Sequence, residues 1–328
     1  MKKRLWNGCV FLFFVLLAAL NGCQRAAPAP KLTPVTVQLA WTHQAQFAGF
    51  YASEQNGYYA AEGLAVTFVE GGPGLDVIQA ALSGTAQFSI AAADVFLIAR
   101  SEGKPVSAIA VIYRRSPRVY MALAGSGITR PQDFVGKTIS VNAPARVPFE
   151  AMMKRIGIQP DKYTLVDSTS DLTSFYSGEV QVRSVYLTNE VLTVRAAGYD
   201  VNIIYPDDYG IHNYGDTLIA TDDLIAAQPD LVQRFLRAAL KGWTFAVENP
   251  AQVGALVQKY NATAGATLET AKMTASLPLV NTGEDHIGWM KSEIWAGMEK
   301  TLREQRAITA PVDVTQVYTL QFLREIYK

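Results

Sequence analysis

Hydrophobic and polar positions alternate in short blocks along most of the chain, and these blocks predict strands and helices in turn. Apolar runs at Val35–Ala40, Ala65–Val69 and Phe88–Ala92 have the length and composition of buried strands. Each run is followed by a segment with helical periodicity, the first of which starts near Phe47. Alternation of this kind predicts an α/β fold with mostly parallel sheets and helices on both faces.

The same alternation repeats on a smaller scale in the middle of the chain. It predicts strands at Thr138–Val141, Val180–Leu187 and Val201–Tyr205, each separated from the next by helical segments. After a further strand at Thr217–Ala220, only long helical patterns such as Leu231–Glu248 follow. These helices have no new strands to cover, so we expect them to pack on the first sheet.

The pattern therefore predicts two α/β lobes joined by two crossings near residues 122–126 and 214–223. The first lobe would comprise residues 34–124 and 222–328, and the second would comprise residues 125–221. A mature chain of about 300 residues has the usual length of two domains and can bury a large core. Ligands of open α/β sheets gather at the carboxyl ends of the strands, which predicts a cleft between the lobes.

The amino terminus has the features of an export signal. Basic residues 2–4 precede an apolar segment, Val10–Ala19, that is too short to span a bilayer comfortably. The following Leu-Asn-Gly-Cys ends at Cys23 and resembles a bacterial lipobox, in which cleavage precedes an acylated cysteine. We predict a signal peptide at residues 1–22 and a lipidated tether at 23–33; an ordinary signal peptide with a chance cysteine is the alternative.

The cysteine count limits the chemistry of the mature chain. Only Cys9 and Cys23 occur in the sequence, and Cys9 would leave with the signal peptide. The mature protein then keeps only the predicted anchor, which excludes an internal disulfide, a cysteine-based zinc cluster and a cysteine nucleophile. Acylation with more than one chain would hold the protein firmly at a membrane surface.

The charge balance argues against nucleic acid as a partner. The full chain has 29 basic and 29 acidic residues. Loss of the basic residues 2–4 with the signal peptide leaves 26 basic residues against 29 acidic ones, a net charge of −3. No basic stripe remains that could neutralise a row of phosphates.

Two neighbouring segments predict the ligand site. Trp41–Tyr51 begins where the first strand ends, and Glu70–Gly74 forms a glycine-rich turn between the second strand and its helix. Such a turn lets another molecule approach the backbone closely and directs helix N–H groups at it. Aromatic faces beside polar edges suit a flat organic ligand. The alternative is that the aromatic residues pack the core and the glycines only form a turn.

These segments carry a resemblance to a known family that extends over the whole mature chain. The matching segments are Gln38–Trp41, Gln44–Tyr51, Asn56–Leu64, Glu70–Gly74 and Tyr186–Glu190. They resemble the NMT1/THI5-like substrate-binding lipoproteins of ABC importers. The resemblance implies a type II periplasmic-binding-protein fold with a ligand cleft that closes by a hinge. It also implies a monomer that is lipid-anchored on the extracytoplasmic face of the cell membrane and serves an ABC permease and its ATPase.

The resemblance also implies the class of ligand. Members of the group bind aromatic heterocycles, one subset thiamin pyrimidine precursors and another riboflavin. We favour riboflavin as the transported ligand, with no resident cofactor and no metal, and keep formylaminopyrimidine as the alternative. Arg114 and Arg115 follow a predicted strand end as a solvated pair, although a phosphorylated flavin could use them instead.

The candidate ligand residues are aromatic or polar side chains at predicted strand ends and helix starts. They are Trp41, Gln44, Gln46, Phe47, Tyr51, Gly72, Asp94, Tyr113, Asn142, Tyr176, Tyr186, Asn189, Glu190, Tyr214 and Asp216. Several have a structural alternative. Trp41 could fill the core, Tyr176 could cover the second sheet, and Asp94 could cap a helix. Glu190 opens a helix, where the helix dipole favours a carboxylate.

A binding protein is favoured over an enzyme, and we predict no catalytic residues. Fungal relatives of this fold make a thiamin pyrimidine from pyridoxal phosphate and a histidine, with iron. That chemistry needs a cofactor lysine and a cysteine-rich segment, whereas no lysine lies between Lys31 and Lys104 and the mature chain has only Cys23. A ligand sensor that contacts a signalling partner is a further, weaker alternative.

Overall fold

Ten strands form the framework of the computed structural model, which describes residues 31–72, 74–169 and 171–328. In chain order the strands are β1 (Thr33–Gln38), β2 (Leu64–Val69), β3 (Phe88–Ala92), β4 (Val106–Val111), β5 (Arg118–Leu123), β6 (Thr138–Ser140), β7 (Thr164–Val166), β8 (Val182–Tyr186), β9 (Val201–Ile204) and β10 (Asp216–Thr221).

The helices lie between and after these strands. The α-helices span Ala48–Gln55, Tyr58–Ala61, Val77–Leu82, Ala93–Ser101, Ala143–Arg155, Thr173–Tyr176, Glu190–Ala196, Asp222–Ala227, Pro229–Glu248, Val253–Gln258, Ala266–Val280, Ser292–Glu304 and Gln321–Ile326. Short 3-10 helices occur at Ala45–Phe47, Ala124–Ser126, Pro131–Phe134, Pro160–Lys162, Pro206–Tyr209, Pro250–Gln252 and Val314–Gln316. None of the described helices combines the length and the apolar character needed to cross a membrane.

The strands form two sheets of five. The first has the order β2-β1-β3-β10-β4 and the second the order β7-β6-β8-β5-β9. In the first sheet β1, β2 and β3 are parallel, and β10 runs antiparallel to both of its neighbours. In the second sheet β6, β7 and β8 are parallel, and β5 runs antiparallel to both of its neighbours. One strand in each sheet therefore opposes the other four, and the predicted α/β architecture is confirmed.

Sheet membership differs from the predicted lobe limits by one strand at each crossing. The prediction placed residues 118–123 in the first lobe and residues 216–221 in the second. Hydrogen bonding instead places β5 in the second sheet and β10 in the first. Both strands lie between two neighbours and are largely buried on both faces, so their sequences do not reveal which sheet they join. The chain therefore passes between the sheets before each of these strands.

The helix after β6 begins earlier than predicted. The sequence indicates a helix over Pro148–Ile156, whereas the helix spans Ala143–Arg155 and contains Pro148. Its start is stabilised by Asn142, whose side-chain oxygen accepts a hydrogen bond from the backbone N–H of Ala145 at 3.2 Å. A proline inside a helix removes one backbone hydrogen bond, which is why the pattern suggested a later start.

Close packing of two helices fixes the segment that follows β1. The long helix Pro229–Glu248 packs against Ala48–Gln55, and Trp243 is fully buried between them. A Cβ atom at Gly242 would lie 2.1 Å from the carbonyl oxygen of Gly49, so only glycine allows this approach. The packing holds the loop after β1 against the rest of the first sheet's core.

We expect Gly242→Ala to lower the free energy of unfolding by about 1–3 kcal/mol, because the added methyl group meets backbone that cannot move aside. Gly297→Ala is the matched control, since that glycine is also helical but a Cβ atom added there would meet nothing within 4 Å. It should be neutral or raise the free energy of unfolding by up to about 1 kcal/mol. Urea titration of both variants measures the difference, and equal effects would contradict the packing argument.

Candidate ligand-binding site

The carboxyl ends of strands from both sheets meet at one seam. Asp94 follows the end of β3, while Arg118 begins β5 and pairs in register with Tyr186 at the end of β8. The Asp94 Oδ2 atom lies 3.0 Å from Nη1 of Arg118, and both side chains are almost completely buried. This ion pair joins the two sheets and brings the ends of β3 and β8 together. The geometry is the one expected for a ligand site in open α/β sheets.

A buried carboxylate connects a third strand end to this seam. Asp216 begins β10 beside Ala92, and its side chain is nearly inaccessible. It accepts a 2.6 Å hydrogen bond from Nε2 of Gln46, which lies just after β1. Gln44 donates from Nε2 to Oε1 of Gln46 at 2.9 Å. We call Gln46, Asp94, Arg118 and Asp216 the polar cluster.

The polar cluster carries little net charge. Burial raises the pKa of Asp216 to about 7, although the Gln46 hydrogen bond and the charge of Arg118 oppose the shift. Asp216 is therefore partly protonated near neutral pH, while Asp94 and Arg118 neutralise each other. Burial also raises the pKa of the Tyr113 and Tyr186 hydroxyls above the ordinary range, so both stay protonated. Both hydroxyls can then donate hydrogen bonds.

A cleft of about 220 Å³ lies next to the polar cluster. Tyr186, Tyr205 and Tyr214 contribute aromatic surface to its lining, and Pro148, Ile211 and Leu279 contribute apolar surface. Asp94, Arg115, Arg118, Asp207 and Asn213 contribute polar groups. These residues come from both sheets and from both segments that cross between them. A ligand in the cleft would therefore contact both sheets and both crossing segments at once.

A second ion pair in the lining joins the two segments that cross between the sheets. Nη2 of Arg115 is 2.8 Å from Oδ2 of Asp207, and Nδ1 of His212 is 2.7 Å from Oδ1 of the same carboxylate. Burial acts to raise the pKa of Asp207, but the hydrogen bonds and charges of His212 and Arg115 outweigh it and lower the pKa below its ordinary value. Asp207 is therefore ionised at neutral pH and neutralises Arg115.

The structure brings together part of the predicted site. Asp94, Tyr186 and Tyr214 line the cleft, and Gln46 and Asp216 belong to the polar cluster. Asp94 does not cap its helix as the alternative interpretation predicted. The cap residue is Ala92, and Asp94 lies in the first turn.

The aromatic residues after β1 lie elsewhere. Phe47 and Tyr51 are fully buried in the core of the first sheet. The Tyr51 hydroxyl is 2.8 Å from Nδ1 of His43, and its ring stacks on Tyr260 with 4.2 Å between centroids. Trp41 is partly buried against the same core. None of the three predicted residues lines the cleft, because a helical stripe of aromatic residues faces the core as readily as a ligand.

Four other predicted residues lie outside the lining of the cleft. The carboxylate of Glu190 accepts a 2.9 Å hydrogen bond from the backbone N–H of Tyr186 and so fixes the end of β8. Asn189 precedes the helix Glu190–Ala196, and its side chain makes no capping hydrogen bond. Asn142 caps the helix after β6, as described above. Tyr113 is buried, and its hydroxyl lies 3.0 Å from Oγ of Ser276.

The glycine-rich turn has a steric function at Gly71 rather than at the predicted Gly72. A Cβ atom at Gly71 would lie 2.3 Å from the carbonyl oxygen of Leu39, whereas one at Gly72 would meet nothing within 4 Å. The backbone N–H of Gly71 donates to the carbonyl of Trp41 at 3.0 Å. The turn therefore holds the backbone of the loop after β1.

Sequence reasoning did not identify Arg118 or Tyr205, which line the cleft. It also placed Tyr176 in the site, although Tyr176 is absent from the lining. Arg118 opens an apolar strand, and its partner Asp94 lies 24 positions earlier, a separation that no periodicity marks. Tyr176 stacks on Tyr199 with 4.5 Å between centroids and packs on the second sheet, in agreement with its alternative interpretation.

The fold defines the class of protein first. The aliphatic sulphonate-binding protein SsuA from Escherichia coli superposes with a TM-score of 0.70 at 15% identity, covering 89% of this chain and 92% of that one. The alkanesulfonate-binding SsuA from Xanthomonas axonopodis gives a TM-score of 0.68 at 12% identity, covering 90% and 99%. The chain thus has the two-sheet α/β fold of periplasmic binding proteins.

The sequence then defines the family. The profile described as NMT1/THI5 like matches residues 44–253. The riboflavin-binding protein RibY of Chloroflexus aurantiacus is 29% identical over 317 residues, covering 91% of this chain and 89% of the relative. The formylaminopyrimidine-binding protein of Halalkalibacterium halodurans is 30% identical over 244 residues, covering 73% and 74%. The 4-amino-5-hydroxymethyl-2-methylpyrimidine phosphate synthase of Legionella pneumophila is 22% identical, covering 88% and 92%. The chain belongs to the NMT1/THI5-like family.

We expect Asp216→Asn to weaken the pH dependence of stability between about pH 4 and pH 7. The pKa of Asp216 is raised from 3.8 to about 7, so the folded protein holds a proton that the unfolded chain has released. This carboxyl therefore destabilises the native protein increasingly as pH rises, by up to about 4 kcal/mol, and a neutral Asn does not.

Urea unfolding across this pH range tests the expectation. The variant should gain stability relative to the native protein as pH rises, because only the native carboxyl loses its proton at a cost. The amide oxygen of Asn can still accept the hydrogen bond from Gln46 at every pH. Asp208→Asn, at an exposed carboxylate, is the control and should leave the pH dependence unchanged. A difference between Asp216→Asn and the native protein that does not grow with pH would contradict the assignment.

Proposed function

We propose that the chain is the solute-binding lipoprotein of an ABC importer and that it captures riboflavin outside the cell. The observation that carries the proposal is a cleft between two sheets that combines three tyrosine rings with polar side chains. A riboflavin-binding relative that covers nine-tenths of the chain supports the choice of ligand. The ABC permease and its ATPase would receive the vitamin from the monomeric binding protein.

The lining of the cleft has the chemistry that a flavin requires. An isoalloxazine ring needs aromatic surface on its faces, and each aromatic pair adds about 0.5–1.5 kcal/mol beyond the area that it buries. Tyr186, Tyr205 and Tyr214 offer that surface. The ring edge and the ribityl hydroxyls need donors and acceptors, which Asn213 and Asp94 can supply.

Capture would depend on contacts with both sheets at once. A ligand that touches the end of β8 and the start of the helix after β3 binds best when the two are close together. It therefore favours the closed arrangement by the difference between its affinities for the closed and open forms. The permease would recognise that closed form.

Formylaminopyrimidine is the second candidate ligand. A relative that is 30% identical binds it. The cleft volume of about 220 Å³ also favours a smaller ligand, because pockets for drug-sized molecules measure about 300–1,000 Å³. A three-ring flavin would need the cleft to open further than a single pyrimidine ring would.

A synthase reaction is the enzyme alternative, since relatives of that activity belong to the same family. We propose binding without chemistry. Mass spectrometry of the ligand after prolonged incubation separates the two, because a receptor returns its ligand unchanged and a synthase does not.

Aromatic contact in the cleft can be tested with two tyrosines of equal exposure. Tyr205 is 39% exposed and lines the cleft, whereas Tyr199 is 40% exposed and stacks on Tyr176. We expect Tyr205→Ala to weaken riboflavin binding by at least about fivefold through lost stacking and burial. Tyr199→Ala should leave the affinity unchanged. Quenching of riboflavin fluorescence measures both dissociation constants.

The outcomes of this titration are distinct. Equal affinities for the two variants and the native protein would remove Tyr205 from the site. Competition by formylaminopyrimidine at lower concentration than riboflavin would favour the second candidate. Absence of binding by either compound would contradict the proposed ligand class.

We also propose that acylated Cys23 anchors the protein to the membrane. Cys23 and the predicted signal peptide lie outside the described residues, so this proposal rests on the lipobox alone. We expect Cys23→Ser to move the exported protein from the membrane fraction to the soluble fraction, because it removes the acceptor of the acyl chains. Cys9→Ser is the control, since Cys9 would be removed with the signal peptide. Retention of Cys23→Ser in the membrane fraction would contradict the anchor.

A further inference from the structure

We propose that the cleft selects the unphosphorylated form of its heteroaromatic ligand, because a carboxylate already neutralises each arginine in the described lining. This inference rests on the proposed capture of a vitamin in the cleft. Flavins and thiamin pyrimidines each occur as a neutral form and as a phosphate monoester. A phosphate monoester carries a charge of about −1.5 to −2 at neutral pH, so a receptor must either supply cations to it or exclude it.

Arg118 is committed to Asp94. The two side chains meet at 3.0 Å and are almost completely buried. A phosphate that took over this guanidinium would displace Asp94 and leave a buried carboxylate without its cation. Removing one partner of a buried ion pair in this way is strongly unfavourable. The same pair can still donate and accept single hydrogen bonds to neutral hydroxyl groups.

Arg115 is neutralised in a different way. Its side chain is 59% exposed and lies 2.8 Å from Asp207, whose carboxylate also binds His212. Water screens this pair more than the buried one, so the Arg115–Asp207 pair opposes phosphate binding less than the Arg118–Asp94 pair does. The preceding Arg114 contributes no cation to the lining, because its side chain binds Asp285 at 2.7 Å and Thr282 at 2.6 Å.

The sum of charges at the cleft therefore disfavours an anion. Two arginines and two aspartates line it, and Asp216 in the adjacent polar cluster adds a partial negative charge. A phosphate entering the cleft would lose water without gaining an unpaired cation, which costs more than burial of a hydroxyl group. Discrimination of this kind comes from repulsion and lost solvation as much as from attraction to the preferred ligand.

The direct test compares riboflavin with riboflavin 5′-phosphate in binding to the native protein. We expect the unphosphorylated flavin to bind at least about tenfold more tightly, the scale of discrimination that unfavourable charge contacts produce. Fluorescence quenching measures both dissociation constants. Equal affinity, or tighter binding of the phosphate, would overturn the inference.

Asp207→Asn tests the physical cause, because it releases Arg115 from neutralisation. This variant should reduce the preference for riboflavin over its phosphate by at least about threefold, on the scale of one partly screened ion pair. Asp207→Glu keeps the charge and should keep the preference. Asp208→Asn removes a neighbouring, exposed carboxylate outside the lining and should also keep it. An unchanged preference in Asp207→Asn would count against the inference.

Inorganic phosphate provides a test that does not depend on riboflavin being the ligand. Added phosphate should raise the melting temperature of Asp207→Asn more than that of the native protein, each compared with chloride at the same ionic strength. The non-specific stabilisation by phosphate is common to both proteins, whereas an unpaired Arg115 is present only in the variant. If the native protein binds neither flavin, riboflavin is ruled out as the ligand. The phosphate measurement still tests whether paired arginines exclude a phosphate from the cleft. A native protein as responsive to phosphate as Asp207→Asn would overturn the inference.

Discussion

The buried ion pair between Asp94 and Arg118 is the constraint on which the site depends. Two charges can be buried at this depth only because they lie 3.0 Å apart, and each would be costly alone. The pair links the start of the helix after β3 to the first residue of β5, so it connects the two sheets at the site. Asp216 and Tyr186 lie near this pair in a region of low dielectric constant, where burial raises the pKa of both side chains.

Two further carboxylates bind backbone N–H groups near strand ends. Glu190 accepts from the N–H of Tyr186, and Glu269 accepts from the N–H of Ala45 at 2.6 Å while its other oxygen pairs with Lys272 at 2.7 Å. Tyr186 is the last residue of β8, and Ala45 lies in the segment that follows β1. The charges therefore order the loops that form the site, and the cleft itself presents tyrosine rings and neutralised polar groups. This division suits recognition of an uncharged aromatic molecule.

The family places binding proteins and synthases on one framework, and the framework explains how that is possible. Strand ends deliver side chains to the same cleft whatever their chemistry, because the parallel strands that carry them are fixed by the core. Function then depends on which few residues stand at those ends. In this chain the described lining contributes tyrosines, aspartates and arginines.

The sequence determined the α/β class, the family and the order of the described strands other than β5, because each follows from local periodicity or from motifs that lie within one segment. It also identified Asp94, Tyr186 and Tyr214 as strand-end candidates. Only the tertiary structure decided which sheet β5 and β10 join, and that Phe47 and Tyr51 face the core. Helical spacing fixes a face but does not fix what covers that face. Contacts such as Gln46 with Asp216, 170 positions apart, arise only when the sheets have formed.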